Sequence, residues 1–252
     1  MKFIVVGGGL VGGVFSKLAR MEGHEIILFD SSQKNSASHA AACLLKESWV
    51  PDGNYHTAIS ILSKIAKPKK ILFEKQGEAF SFRPTDLMES NPIREHIKKI
   101  GNGFVETNSG NVFYGDHVVV AAGIHSGKLT GIPVHGMAGM ALLYSGEHKP
   151  QYQVWAPYKQ IISFSRDCGS TYVSDGTALT NWSLEHTKRL VKHAGQVGLY
   201  QKFSSLFGYR PWTKFHPELM RLDSRIWLAT GTRKNGTVLS AIWAKKILEA
   251  CT

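Results

Sequence analysis

Residues 2–30 read KFIVVGGGLVGGVFSKLARMEGHEIILFD, and the fold is decided there. Lys2 to Val6 has the make-up of a buried strand, and Gly7, Gly9 and Gly12 follow it at once in GxGxxG spacing. Val14, Leu18 and Met21 then fall near helical spacing, and Gly23 closes that helix. Glu25 to Phe29 make a second apolar strand that ends in Asp30. Strand, glycine turn, helix, strand and acid together make a βαβ unit of about thirty residues.

In that setting each glycine has its own task. The first allows a tight turn, the second lets a pyrophosphate approach the backbone, and the third lets helix and strand pack closely. Leu10 and Val11 open the helix, where amide hydrogens and the helix dipole meet phosphate charge. Asp30 stands eighteen residues beyond Gly12, where a carboxylate can hold ribose hydroxyls. The segment predicts dinucleotide binding; a glycine turn without a ligand leaves Asp30 with nothing to do. The motif alone does not choose between NAD and FAD.

Outward from this unit, 252 residues allow one large domain or two interleaved smaller ones. A hydrophobic share of 43% with 19% charged residues excludes a disordered or collagen-like chain. No stretch approaches the roughly 20 apolar residues of a membrane span, so no membrane partner is expected. The apolar start runs into a glycine turn rather than a cleavage site, and so reads as a strand and not a signal peptide. Cys43, Cys168 and Cys251 are odd in number and widely spread. That argues against a disulfide framework and for a reducing, cytoplasmic location. Without a CxxC or a paired Cys/His spacing, no metal site is expected. Thirty Lys and Arg against nineteen Asp and Glu give a net charge of +11. Such an excess favours a polyanion or an acidic substrate, unless it is only a basic surface.

Further along, residues 36–45 are rich in Ser and Ala, and residues 55–66 read as an amphipathic helix. Short strands are expected over 71–83, and Asn91-Pro92 predicts a helix to Ile100 capped by Gly101. Phe104 to Thr107 and Val112 to Tyr114 read as a hairpin, followed by an apolar strand, Val118 to Val120, that runs into Ala121-Ala122-Gly123. Residues 133–178 look mostly β. A helix is expected over 183–200, with Leu184, Leu190, Val191 and Val197 facing inward. A strand at 226–229, the loop Gly231-Thr232-Arg233-Lys234-Asn235-Gly236 and a helix over 238–250 complete the pattern.

Ser38 to Leu45, Val118 to Gly123 and the 231–236 loop form a set with Gly208-Tyr209-Arg210-Pro211. With them the chain resembles the FAD-dependent D-amino-acid oxidase and glycine oxidase family. That family includes sarcosine oxidases and the oxidase domain of the bifunctional enzyme that matures 5-methylaminomethyl groups in tRNA wobble uridine. The likeness covers both ends and the middle, with 46–102 and 137–205 matched only loosely. It implies an α/β fold: a Rossmann-like FAD-binding domain over 1–70, 98–132 and 206–252, with a reduced, mostly antiparallel β substrate domain over 71–97 and 133–205.

The resemblance further implies that Gly7, Gly9, Gly12 and Asp30 hold the ADP part of FAD, and that Ser38, Ala41 and Ala42 line pyrophosphate and flavin. Ala122 and Gly123 pass close to the cofactor. Gly231, Lys234, Asn235, Gly236 and Thr237 approach the flavin ring at the start of the last helix. Arg210 matches the family's carboxylate-binding arginine, whose planar fork grips a carboxylate bidentately. Two departures stand out. Cys43 occupies a position where relatives usually have glycine, which leaves packing, tuning of the flavin or a thioether link open. The family's GHxRNG loop here lacks His and carries Lys234 in place of Arg. The chain is also shorter than typical relatives, so a trimmed substrate domain and a more open flavin face are expected.

The implied activity is that of an FAD-dependent oxidoreductase. A neutral amine loses hydride from Cα to the flavin, the imine hydrolyses to a glyoxylate-like oxo acid, and oxygen reoxidises the flavin with release of peroxide. No catalytic base stands out. A free small amino acid, such as glycine, sarcosine or a D-amino acid, is the family's default substrate. The net charge, six tryptophans and the expected open site point instead to a glycine-type amine carried on a modified pyrimidine of DNA or tRNA. Lys64, Lys67, Lys69 and Lys70, Lys98 and Lys99, and Lys188, Arg189 and Lys192 form basic clusters. Trp49, Trp155, Trp182 and Trp212 are candidates for base stacking. A non-catalytic flavin-binding maturation or assembly protein is the alternative from another class. An NAD-dependent dehydrogenase would leave the 231–236 loop without a task.

Overall fold

The computed structural model describes residues 1–31, 36–50, 53–156, 159–167, 169–177, 183–214 and 218–251. Cys168 and Trp182 therefore lie outside the described residues. In chain order, β1 (Lys2–Val6), α1 (Leu10–Met21) and β2 (Glu25–Phe29) form the opening unit. Then come β3 (Leu44–Leu45), α2 (Asn54–Ile65), the hairpin of β4 (Lys69–Phe73) and β5 (Gly77–Ser81), and the one-turn α3 (Pro84–Leu87). A meander of β6 (Ile97–Gly101), β7 (Phe104–Thr107) and β8 (Val112–Tyr114) leads into β9 (His117–Val120) and the short α4 (Ser126–Thr130). Next are β10 (His135–Ser145), β11 (Gln151–Ala156), β12 (Lys159–Asp167), β13 (Ser170–Ser174), α5 (Leu184–Gln196) and β14 (Phe203–Trp212). The described chain ends with β15 (Glu218–Asp223), β16 (Ile226–Thr230) and α6 (Gly236–Cys251).

The architecture is α/β. The first sheet runs β15-β16-β9-β1-β2, parallel except for the edge strand β15. Its strands read as nearly unbroken apolar runs because both faces are covered. Phe3, Val5, Leu28, Val119 and Trp227 face α1, α2 and α6, packing against Val14, Leu18, Leu62 and Ala244. Ile4, Val6, Phe29, Val118 and Leu228 face the other way, against Val105 and Phe113 of the β6–β8 meander.

The second sheet, β11-β12-β13-β10-β14, is antiparallel. One face packs Leu142, Tyr144, Ile161 and Val173 on Leu190 and Ala194 of α5. The other packs Ala141, Phe164 and Tyr172 on Ile71, Phe73 and Ala79 of the small β3-β5-β4 sheet. The segment boundaries expected at 70/71, 97/98 and 205/206 fall inside β4, β6 and β14.

Two readings need correction. Residues 91–100 are not a helix. Ile93 accepts from the Asp30 amide and donates to Leu28 O, which lays this segment along the end of β2, and β6 then pairs with β7. A register shift between Ile97 and Lys99 lets both Ile97 and Ile100 reach the core. A β-bulge thus imitates the i, i+3 spacing of a helix. Leu184 does not face inward but is 60% exposed at the start of α5. Six residues from Leu190 is about 240° around a helix, and the buried positions fall instead to His186, Leu190 and Ala194. Met21 is likewise exposed.

Candidate functional site

Val6 pairs with Phe29 on one side and Val120 on the other, and Val120 pairs with Leu228. Four parallel strands therefore end side by side. The loops at Gly7–Gly9, Asp30, 121–123 and 231–235 open on one edge, where the chain order switches from one side of β1 to the other. That edge is the usual ligand crevice of a parallel sheet. A cavity of about 1330 Å³ lies there.

The glycine loop leaves no space for side chains. Gly7 has φ +107, and a Cβ on it would stand 2.4 Å from Ala121 O. A Cβ on Gly12 would stand 1.8 Å from Gly7 O, so Gly12 works beneath the cavity wall, where α1 meets β1. Substituents on Gly8 and Gly9 would meet Asp30 Oδ2 and Ser38 Oγ at 2.7 and 2.6 Å. Those same oxygens satisfy the start of α1: the Gly8 amide donates to Asp30 Oδ2 at 2.7 Å, and the Leu10 amide donates to Ser38 Oγ at 2.9 Å. Anionic and hydroxyl oxygens are thus received at a helix N-terminus that Gly9 cannot cap by itself. A tight glycine turn and helix N-terminus beside a carboxylate are a cradle that fits the phosphates and sugar of a dinucleotide.

Residues 36–43 form the opposite wall. Ser36 bridges to Tyr209, and the close approach needs Gly208, whose Cβ would stand 2.6 Å from Ala37 Cα. Tyr172, buried on β13, donates its hydroxyl to Ala40 O at 3.0 Å. Ala41, Ala42 and Cys43 line the cavity. Cys43 has φ +45, which explains why glycine suits this position. Its side chain is 2% exposed, and burial pushes the thiol up to about 11, against a lesser opposing effect of the Thr237 hydroxyl. The thiolate that would attack a flavin is therefore the disfavoured form.

Gly231, φ +74, turns the chain out of β16 but does not line the cavity. The Asn235 amide donates to Thr232 O and the Leu239 amide to Asn235 O, which starts α6 with Gly236 and Thr237 at the cavity. Arg233 also lines the cavity, with its guanidinium 5.3 Å from the Trp212 ring.

Arg210 sits on β14 opposite Met137, and its side chain crosses Gly139, where a Cβ would stand 2.6 Å from the guanidinium. It donates to Thr177 O at 3.2 Å, and among the described residues no carboxylate lies within 4 Å of it. Burial works against its charge, with Tyr172 and Asp175 partly offsetting. Lys234 is lowered by burial first and by Arg210 second. The nearby acid, Asp175, is already engaged by Arg189 at 3.2 Å and by the Thr177 amide at 2.9 Å. Two partly desolvated cations facing one cavity make a seat for a carboxylate.

Ala122 and Gly123 also line the cavity, where Thr230 Oγ1 donates to Gly123 O. Lys46, Arg94 and Lys128 add positive charge at the rim. The rim acid Glu89 is held by Arg20, and Glu95 accepts from Ser109. Sequence reasoning missed Gly139, Tyr172 and Asp175, because only the pairing of distant segments brings them near the cavity, and it passed over Gly8, the variable position inside the glycine motif. Of the tryptophans, Trp49 packs on Tyr152 with ring centres 5.2 Å apart, and Trp155 lies on β11. Lys70 and Lys98 are engaged by Glu78 and Glu106. Among the described residues no group of three His, Cys, Asp or Glu could hold a metal. No helix there is long and apolar enough to cross a membrane.

No protein-family model matches the chain, and neither does any curated protein sequence. Solved structures do. Glycine oxidase from Bacillus cereus ATCC 14579 superposes with TM-score 0.74 at 15% identity, over 100% of this chain and 95% of that one. Iminodiacetate oxidase from Chelativorans sp. BNC1 gives 0.69 at 10%, over 96% and 93%. Dithionite-reduced L-alpha-glycerophosphate oxidase from Mycoplasma pneumoniae, with FAD bound, gives 0.74 at 12%, over 98% and 94%. At such identities what is shared is the fold.

Proposed function

We propose that the chain is an FAD-dependent oxidoreductase acting on the C–N bond of a glycine-type amine, carried on a modified pyrimidine of DNA or tRNA. One observation carries this reading: the glycine loop, Asp30 and the start of α6 meet Arg210 and Lys234 around a single cavity. Its volume exceeds the roughly 300–1,000 Å³ of an ordinary small-molecule pocket, leaving space for a long cofactor and a second molecule. Fold partners named as oxidases, one of them with FAD bound, support the choice of cofactor.

Asp30 would hold ribose hydroxyls, the Gly7–Gly9 loop with the start of α1 the pyrophosphate, and residues 232–237 the isoalloxazine end. FAD bound there supplies the hydride acceptor. Arg210 binds the substrate carboxylate through its fork, and Lys234 adds a point charge. The same two cations disfavour an ammonium beside them, so they select the neutral amine without a dedicated base. The net charge of +11 and the basic rim support a polyanionic carrier for the amine.

The test is the absorption spectrum of the purified protein and the mass of its released cofactor, followed by anaerobic titration. An oligonucleotide bearing a carboxymethylaminomethyl uracil should bleach the flavin and yield glyoxylate. Bleaching by free glycine or sarcosine, indifferent to the oligonucleotide, would move the substrate to free amino acids. A flavin that no amine bleaches would leave a non-catalytic binding protein. A nicotinamide in the released cofactor would overturn the reading.

A further inference from the structure

We infer that the sheet face opposite the cavity carries a separate docking slot for single-stranded nucleic acid, formed by Tyr144, Tyr200 and Phe203 beside the basic outer face of α5. This rests on the proposal of a nucleic-acid-borne substrate and adds to it a second point of contact. The slot, about 500 Å³, lies between the end of α5 and the start of β14. Tyr144 stands opposite Phe203 in the β10–β14 ladder, with ring centres 5.3 Å apart. Its side chain is 1% exposed, and its hydroxyl has no hydrogen-bond partner among the described residues. A buried phenol ordinarily finds a partner, and this one borders a slot that could supply it.

Phe203 and Tyr200 are 41% and 82% exposed, and the Tyr200 ring leans on Gly195 of α5. Residues 184–203 carry four Lys or Arg against one acid, Glu185. Arg189 turns inward to Asp175, while Lys188 and Lys192 stay exposed one turn apart, and Lys202 adjoins Phe203. Exposed rings, an unmet hydroxyl and a lysine row suit a flat heterocycle with a hydrogen-bonding edge on an anionic backbone. Bases would stack on Tyr200 and Phe203, an edge would reach the Tyr144 hydroxyl, and phosphates would meet the lysines. A duplex hides those base faces, so the slot favours single strands. Tyr144 lies five residues along β10 from Gly139 of the cavity wall, about 17 Å of strand, so slot and cavity keep a fixed separation.

The experiment is fluorescence anisotropy of the full chain with a labelled 12-nucleotide single-stranded DNA across a salt series. The Tyr200→Ala/Phe203→Ala double variant should bind at least tenfold more weakly. Tyr144→Phe should also bind more weakly while melting at or above the wild-type temperature. Lys188→Gln and Lys192→Gln should each reduce the salt slope by about 0.7. Flavin content, and bleaching of the flavin by the carboxymethylaminomethyl-uracil nucleoside without an oligonucleotide, measured on the same preparations, should not change; they report on the oxidoreductase reading separately. Unchanged oligonucleotide affinity in the double variant would overturn the slot. So would displacement by a free deoxymononucleotide as effective as by the 12-mer.

Discussion

The guanidinium of Arg210 lies across Gly139 on the neighbouring strand, where even a methyl group would stand 2.6 Å from it. The absence of a side chain on β10 therefore decides where the cation on β14 rests. That relation ties a backbone position without chemistry of its own to the proposed carboxylate seat.

Gly139→Ala should push the Arg210 head out of place while the sheet survives, since the displaced atoms end a flexible side chain. The expected result is KM for a carboxylate-bearing amine raised about tenfold, the loss of one charge-assisted hydrogen bond of about 1.5 kcal/mol. Flavin content should be unchanged. Arg210→Ala should raise KM further, and equal kinetics in wild type and both variants would remove Arg210 from substrate binding.

Asp30→Ala should weaken cofactor retention. The variant loses the carboxylate assigned to the ribose, and it also strips the Gly8 amide of its acceptor. Dialysis followed by absorbance checks this: wild type should stay yellow under conditions that bleach the variant, and equal retention would cancel the ribose assignment.

Cys43 carries backbone strain that only glycine would relieve. Cys43→Gly and Cys43→Ala both lose the thiol, yet alanine keeps the left-handed conformation at a cost of about 1–2 kcal/mol. After allowance for the greater freedom of glycine in the unfolded chain, Cys43→Gly should be the more stable by about 1 kcal/mol. Urea midpoints at neutral pH measure the difference.

The same thiol should make stability depend on alkaline pH. Its folded value, about 11, lies above the ordinary 9.0, so the folded state holds the proton more tightly. The contribution is complete below pH 9 and fades as pH rises through about 11. Wild type should therefore lose stability over that window relative to Cys43→Ala, and parallel curves would contradict the burial argument.

Lys234 is lowered by burial and by Arg210, so it turns neutral below the usual lysine range. Affinity for a carboxylate such as glycolate should fall as pH rises through that lowered value, because the neutral amine no longer attracts the anion. Lys234→Met should bind more weakly and lose this pH-dependent step. Spectral titration of the flavin with glycolate at several pH values provides the readout.

The opening βαβ unit was legible because its signals are local: three glycines, an apolar run on each side and Asp30 all fall within thirty residues. The strands at 118–120 and 226–229 were legible for the same reason. The meander at 97–101 was not, because Pro92 and Gly101 mimic helix ends while a bulge aligns Ile97 with Ile100. At the site, the Gly231–Thr237 loop and Arg210 stood out by motif. Gly139, Tyr172 and Asp175 did not, since they matter only through cross-strand register and through contacts such as Tyr172 with Ala40, more than a hundred residues away. Leu184 misled because an apolar residue at a helix start can point to solvent beside a Ser183 cap.

The packing of α1 against α6 joins segments more than two hundred positions apart and completes the core beneath the cavity. During synthesis the glycine loop leaves the ribosome long before the helix that finishes the chamber around it. A nascent chain stalled before Gly236 therefore lacks the wall that the start of α6 adds to that chamber.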